Sequence, residues 1–302
     1  MMDHKKTVFV LGNGFDMDLG RNTSYKNFAE STFWPFEGEK DGLGGFLNSH
    51  KGKDKWFDLE NLIREYASIE RKIERFNRNI QKDVPAFSLL KKSLIGYIKK
   101  EEEVKLNEDS VAVYLLKQLC LTFDMASALK VYSFNYTDMD KVFDYIGIGI
   151  GCKAKCEYIH GTLENDSIIL GIDEQVNCFP GYEIFIKTMQ PTYESHPILE
   201  DLYFAEEIIF YGMSFGDIDY PYFQMFFKDR CDEEKYYGEF SKKRIAIFTR
   251  DIASGRDIKF QLMKMNNKKL MQMYNFNTLK FFYTEDGVTD DLKDYIKDLY
   301  VW

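Results

Sequence analysis

The sequence predicts an α/β protein with a Rossmann-like, mostly parallel sheet, helices on both faces and a helical insertion after the first strand. Three features predict it. Short apolar runs bounded by turn residues recur along the chain, and segments of helical period separate them. In addition, one block of helices interrupts this alternation directly after the first run. The expected organisation is a single domain over 1–302, with its core at about 1–30 and 128–302 and the insertion at about 31–127.

Thr7–Leu11 (TVFVL) is a buried strand that breaks on glycine, and Ser24–Glu30 is a short helix. The glycine-containing stretch FEGEKDGLGGFLNSHKGKDK reads as a surface loop. Leu59, Leu62, Ile63, Tyr66, Ile69, Ile73, Phe76 and Ile80 then recur at steps of three and four, the apolar stripe of one long helix. Residues 86–104 and 109–127 read as two further helices. Strands follow at 129–134, 155–159, 167–172, 207–211, 244–249 and 278–283. Helices are expected near 138–145, 221–229 and 257–274, and at the chain end.

The chain has 302 residues, rich in Phe (26) and Tyr (20) and with only six Pro, the composition of an element-rich globule. Its net charge of −9 disfavours nucleic-acid or anionic-membrane partners, which need a basic field. The apolar run near the start is too short for a signal core, and no stretch reaches the roughly 18 apolar residues of a membrane span. A cytoplasmic location is expected. Five cysteines, an odd number, read as free thiols; Cys152 and Cys156 have no second pair at zinc-module spacing, so no metal is expected.

On parallel sheets, ligands sit at the carboxyl ends of the strands. The first strand is followed by Gly12, Asn13, Gly14, Phe15 and Asp16. Later strands are followed by Asn135, by His160-Gly161 and by Gly212-Met213-Ser214. Taken singly, these are a tight turn, a helix cap and a satisfied strand-end histidine. Together they bring glycines through which backbone N–H groups can approach a pyrophosphate, an amide for ribose or water, and an imidazole suited to general-base work. The dehydrogenase fingerprint G-x-G-x-x-G fails at Met17, which disfavours hydride transfer.

Six separated blocks resemble the phage abortive-infection AbiH family: VLGNGFDMDLGRNTSYKNFAE, WFDLENLI, SFNYT, YIHGT, ILGID and YGMSFGDIDYPYF. That family is in turn similar to sirtuin-type NAD-binding domains. The resemblance implies that Gly12 and Gly14, with Asn13, Phe15 and Asp16 around them, cradle NAD. It further implies that Asn135 positions ribose or water, that His160 is the catalytic histidine, and that Gly212 and Ser214 line the ADP-ribose side. Two departures stand out. Thr137 occupies the place of a sirtuin Asp, and the paired-cysteine zinc module is missing, which argues against protein deacylation.

The implied function is bacterial antiphage defence by an NAD glycohydrolase that releases ADP-ribose and nicotinamide, with Asp16 or Glu60 offering negative charge near the developing cation. Asp16 as a cap and Glu60 as part of a solvated face remain open beside that role. The alternative is a non-catalytic module that senses NAD or ADP-ribose. Expected partners are NAD or a related nucleotide, a phage-derived trigger and a second copy of the chain.

Overall fold

Val8 and Val10 point to one side of the first strand and Phe9 and Leu11 to the other, and all four are buried. Only a strand covered on both faces buries such a run. In the computed structural model this strand, β1 (Thr7–Leu11), lies inside a six-stranded, all-parallel sheet. Its companions are β2 (Leu129–Ser133), β3 (Cys156–Tyr158), β4 (Glu207–Tyr211), β5 (Arg244–Thr249) and β6 (Thr278–Tyr283). The spatial order is β3-β2-β1-β4-β5-β6. The structure describes residues 7–52, 58–70, 76–122, 129–148, 155–238 and 242–300. Trp56 of the WFDLENLI block and Cys152 of the cysteine pair lie outside them.

The chain divides into two compact units. The first comprises Met1–Gly20, Lys105–Ile159 and His196–Trp302, and holds the whole sheet. One face carries Phe9, Leu11, Val131, Ile209 and Phe248, packed against the helices Val111–Thr122, Met139–Tyr145 and Asp290–Tyr300. The other carries Val8, Val10, Ile208, Phe210 and Ile247, packed against the helices Ile198–Phe204, Tyr220–Asp229, Ile252–Met265 and Leu270–Phe276. The expected 257–274 helix is thus two helices. The break falls where Asn267 and Lys268 adopt positive φ, which a helix cannot continue through.

Register aligns the carboxyl ends of the strands. Leu11 is level with Ser133 and Tyr211, Ser133 with Tyr158, and Tyr211 with Phe248. The loops that begin at Gly12, Phe134, Ile159 and Gly212 therefore leave the sheet from one row.

The second unit comprises Arg21–Val104 and His160–Ser195. It draws on residues beyond the expected insertion and contains the helices Tyr25–Glu30, Gly42–His50, Leu59–Ala67 and Ile80–Glu101. Its organiser is the buried Asp83 carboxylate, which accepts from the Leu43 and Asn79 N–H groups and the Tyr66 and Tyr182 hydroxyls at 2.6–2.9 Å. Three sequence expectations fail here. The glycine-rich stretch is not all loop, because Leu43, Phe46 and Leu47 bury one face of the helix Gly42–His50. Gly45 is needed there: a Cβ would stand 2.1 Å from the Lys40 carbonyl carbon.

The expected helix over 59–80 does not run on as one: it ends at Ala67, whose carbonyl accepts from Phe179 N–H, while Arg78 donates to the Tyr66 and Ser68 carbonyls, and the next described helix starts at Ile80. Ile73 of the stripe lies outside the described residues. Ile69, one of the apolar stripe, is 51 % exposed. The expected strand at 167–172 joins no sheet. Ile168–Ile172 is a buried segment with one parallel bridge, Ile172 to Ile186.

Candidate functional site

Of the six motif blocks, SFNYT and YGMSFGDIDYPYF fall in the first unit and WFDLENLI and ILGID in the second, while the first block and YIHGT contribute residues to both. In the first unit, the loops after β1, β2 and β4 knit into one rim. Gly12 N–H donates to the Tyr211 carbonyl at 2.8 Å, and Gly14 N–H to the Gly212 carbonyl at 3.0 Å. Phe15 N–H turns back to the Gly12 carbonyl, and Gly212 N–H donates to Phe248. The glycines let two backbones meet: a Cβ on Gly14 would lie 2.7 Å from the Gly212 Cα, and one on Gly212, at φ +67°, 2.2 Å from Phe15 N. The N–H groups expected to face a pyrophosphate are thus engaged within the protein. What the rim offers outward is side chains: Asn13 is half-buried and Ser214 exposed.

Asn135 is held by its own loop. The Ser133 hydroxyl accepts from Asn135 N–H at 3.1 Å and donates to its carbonyl at 3.0 Å. The Asn135 side-chain amide then donates to the Gly12 carbonyl at 2.9 Å, tying the β2 loop to the β1 loop. Asn135 is not the helix cap; Asp138 caps Met139–Tyr145, accepting from the Asp140 and Lys141 N–H groups. Thr137 donates its hydroxyl to the buried Asp16 carboxylate at 2.6 Å, so the residue that departs from the sirtuin pattern partners an expected site residue. The Phe15 ring points into the core, edge-on to Phe9 and Tyr211, and adds no side chain to the rim.

Below the rim, Asp18 accepts from the Tyr211 hydroxyl and Ala112 N–H; burial raises its pKa, and these two bonds oppose the rise. At the sheet edge, burial pushes the Cys156 thiol well above its ordinary range. Among the described residues, no cluster of three or more His, Cys, Asp or Glu forms a metal-binding group, and no helix is long and apolar enough to cross a membrane. A shallow cleft lined by Glu207, Arg244 and Thr278 lies at the first residues of β4, β5 and β6, the edge of the sheet opposite the rim.

In the second unit, three other blocks meet at a buried charged cluster. Lys187 Nζ lies 2.9 Å from Oε1 and 3.1 Å from Oε2 of Glu60, and 3.4 Å from His160 Nε2. Glu60, His160 and Lys187 are 7 %, 6 % and 5 % exposed. Glu60 sits in the first turn of Leu59–Ala67, whose N-cap Asp58 accepts from Asn61 N–H. The ILGID block supplies Gly171 N–H, which donates to Glu60 Oε1 at 3.2 Å. Lys187 is fixed by its own N–H donating to the Ile172 carbonyl at 2.9 Å. Glu60 is therefore no solvated face. Lys187 belongs to none of the six blocks, and no spacing in the sequence marks it.

The strand order, the covered parallel sheet and the polar loops at its carboxyl edge define a Rossmann-like α/β protein. A family model, bacteriophage abortive infection AbiH, matches residues 8–237, and the chain belongs to that family. No curated protein matches it. The chain is thus a bacteriophage abortive-infection protein in its family assignment.

Proposed function

We propose that the chain is an NAD glycohydrolase of bacterial antiphage defence. The observation that carries this reading is the strand order. In a sheet ordered 3-2-1-4-5-6, the direction of winding reverses between β1 and β4, and dinucleotides bind in the crevice outside that point. The loops carrying Gly12–Asp16 and Gly212–Ser214 leave the sheet there. With the glycine N–H groups engaged, Asn13 and Ser214 are the side chains that would meet the nucleotide.

In this reaction the bond between ribose C1′ and the nicotinamide nitrogen breaks, and its electron pair neutralises the pyridinium. A water oxygen bonds to C1′, and the proton that water loses passes to a base. Asn135 is assigned to ribose or water and His160 to the proton, the roles that the sirtuin resemblance implies. The negative charge of Asp16 or Glu60 stabilises the oxocarbenium-like state. The test incubates the purified chain with NAD and follows nicotinamide and ADP-ribose chromatographically. Equimolar release, abolished in a folded His160→Gln variant, is expected; full turnover in that variant would overturn the mechanism.

One observation favours the sensor reading instead. The N–H groups of Gly12, Gly14 and Gly212 and the Nε2 of His160 have protein partners in this conformation, an arrangement suited to binding without turnover. Calorimetric heat with NAD or ADP-ribose, and no product over hours, would select it.

A further inference from the structure

We propose that Lys187 is a positioning residue that fixes His160 in the Nδ1–H tautomer. An ammonium has three donors and no lone pair. Two of the Lys187 contacts run to the two carboxylate oxygens of Glu60, at 2.9 and 3.1 Å, and the remaining one reaches His160 Nε2 at 3.4 Å. A nitrogen that faces an ammonium must accept, so Nε2 carries the lone pair and Nδ1 carries the proton of the neutral imidazole. The opposite tautomer would set an N–H against an N–H, and an imidazolium would set two cations together where all three side chains are at least nine-tenths buried.

Glu60 is what makes the arrangement durable. Without its carboxylate, the ammonium would be a buried charge with no compensation. Glu60 is itself held by the Gly171 N–H, and Lys187 by the backbone bond to Ile172. The tautomer is therefore set by two links, from the helix Leu59–Ala67 to Lys187 and from Lys187 to His160. In turnover, His160 cannot take a proton on Nε2 until the ammonium moves aside. This last consequence rests on the glycohydrolase reading; the tautomer does not.

The experiment is nitrogen-15 NMR of the full-length, histidine-labelled chain, with the His160 signals identified by their loss in His160→Gln. The wild type is expected to show a protonated Nδ1 and a bare Nε2. Lys187→Met should lose that signature, whereas Lys187→Arg, which keeps a cationic donor, should retain it. Where NAD is turned over, Lys187→Met should lower kcat by up to about 10⁴-fold with little change in KM, the scale seen when a catalytic histidine loses the partner that fixes its tautomer. A wild-type proton on Nε2 overturns the proposal even if neither Lys187 variant folds. So does an unchanged tautomer in folded Lys187→Met. The expected NMR pattern without any NAD turnover removes the glycohydrolase reading and leaves the tautomer standing.

Discussion

The side-chain amide of Asn135 donates to the carbonyl of Gly12 at 2.9 Å, across 123 positions of sequence. That bond joins the loops after two neighbouring strands and holds the amide in one orientation. Asn135→Ala removes one bond from a carbonyl that Phe15 N–H still satisfies. It should cost about 0.5–1.5 kcal/mol in urea unfolding. Asn135→Asp sets a carboxylate against the same carbonyl and should cost more. Equal stability of the two variants would count against this role.

Gly212 and Gly14 are the tightest points of the same rim. Gly212→Ala combines a left-handed backbone with a Cβ 2.2 Å from Phe15 N. A loss of roughly 2–4 kcal/mol is expected, the sum of backbone strain and overpacking. Gly14→Ala, with negative φ but a Cβ 2.7 Å from the Gly212 Cα, should be destabilised by overpacking alone and therefore less. Denaturant midpoints of the two variants check this order.

The Glu60–Lys187 pair should behave as one unit. Glu60→Gln and Lys187→Met each leave a buried charge uncompensated, at a cost of about 3–5 kcal/mol. The double variant removes both charges and should cost less than the sum of the singles. A double-mutant cycle measures this, and additivity would refute the coupling.

Lys243 gives a pH dependence. Burial, followed by the nearby Arg230 charge, lowers its pKa from the ordinary 10.5 to about 8, against the opposing pull of Glu206. Its ammonium donates to the Tyr203 and Ala205 carbonyls at the end of the helix Ile198–Phe204. Below about pH 8 both folded and unfolded chains carry the proton, and the burial penalty is in full force. Between about 8 and 10.5 the unfolded chain binds the proton and the folded chain does not, so this group adds stability as pH rises. The unfolding free energy of the wild type should therefore rise relative to Lys243→Met across that window. A constant difference between the two would contradict it.

The parallel sheet was legible because apolar runs such as Thr7–Leu11 and Glu207–Tyr211 carry their own punctuation, and a strand buried on both faces needs little else to declare itself. The rim residues were legible for the same reason, since each stands within about five positions of a strand end. The helical block was harder. Ile69 continues an apolar stripe that the chain does not use, because Phe179 and Arg78 take the carbonyls that would extend the helix. Periodicity records side-chain chemistry and is blind to such remote backbone partners.

The sequence by itself determined the fold class, the strand-end loops and the family blocks, all of which rest on neighbours within a few residues. Only the tertiary structure decided that the glycines serve loop-to-loop contact, that Thr137 partners Asp16, and that Lys187 stands between Glu60 and His160. Glu60 and Lys187 are 127 positions apart, and a lysine in a single 3-10 turn has no local signal. Its role arises from burial, which turns an ordinary ammonium into a charge that must be matched on every side.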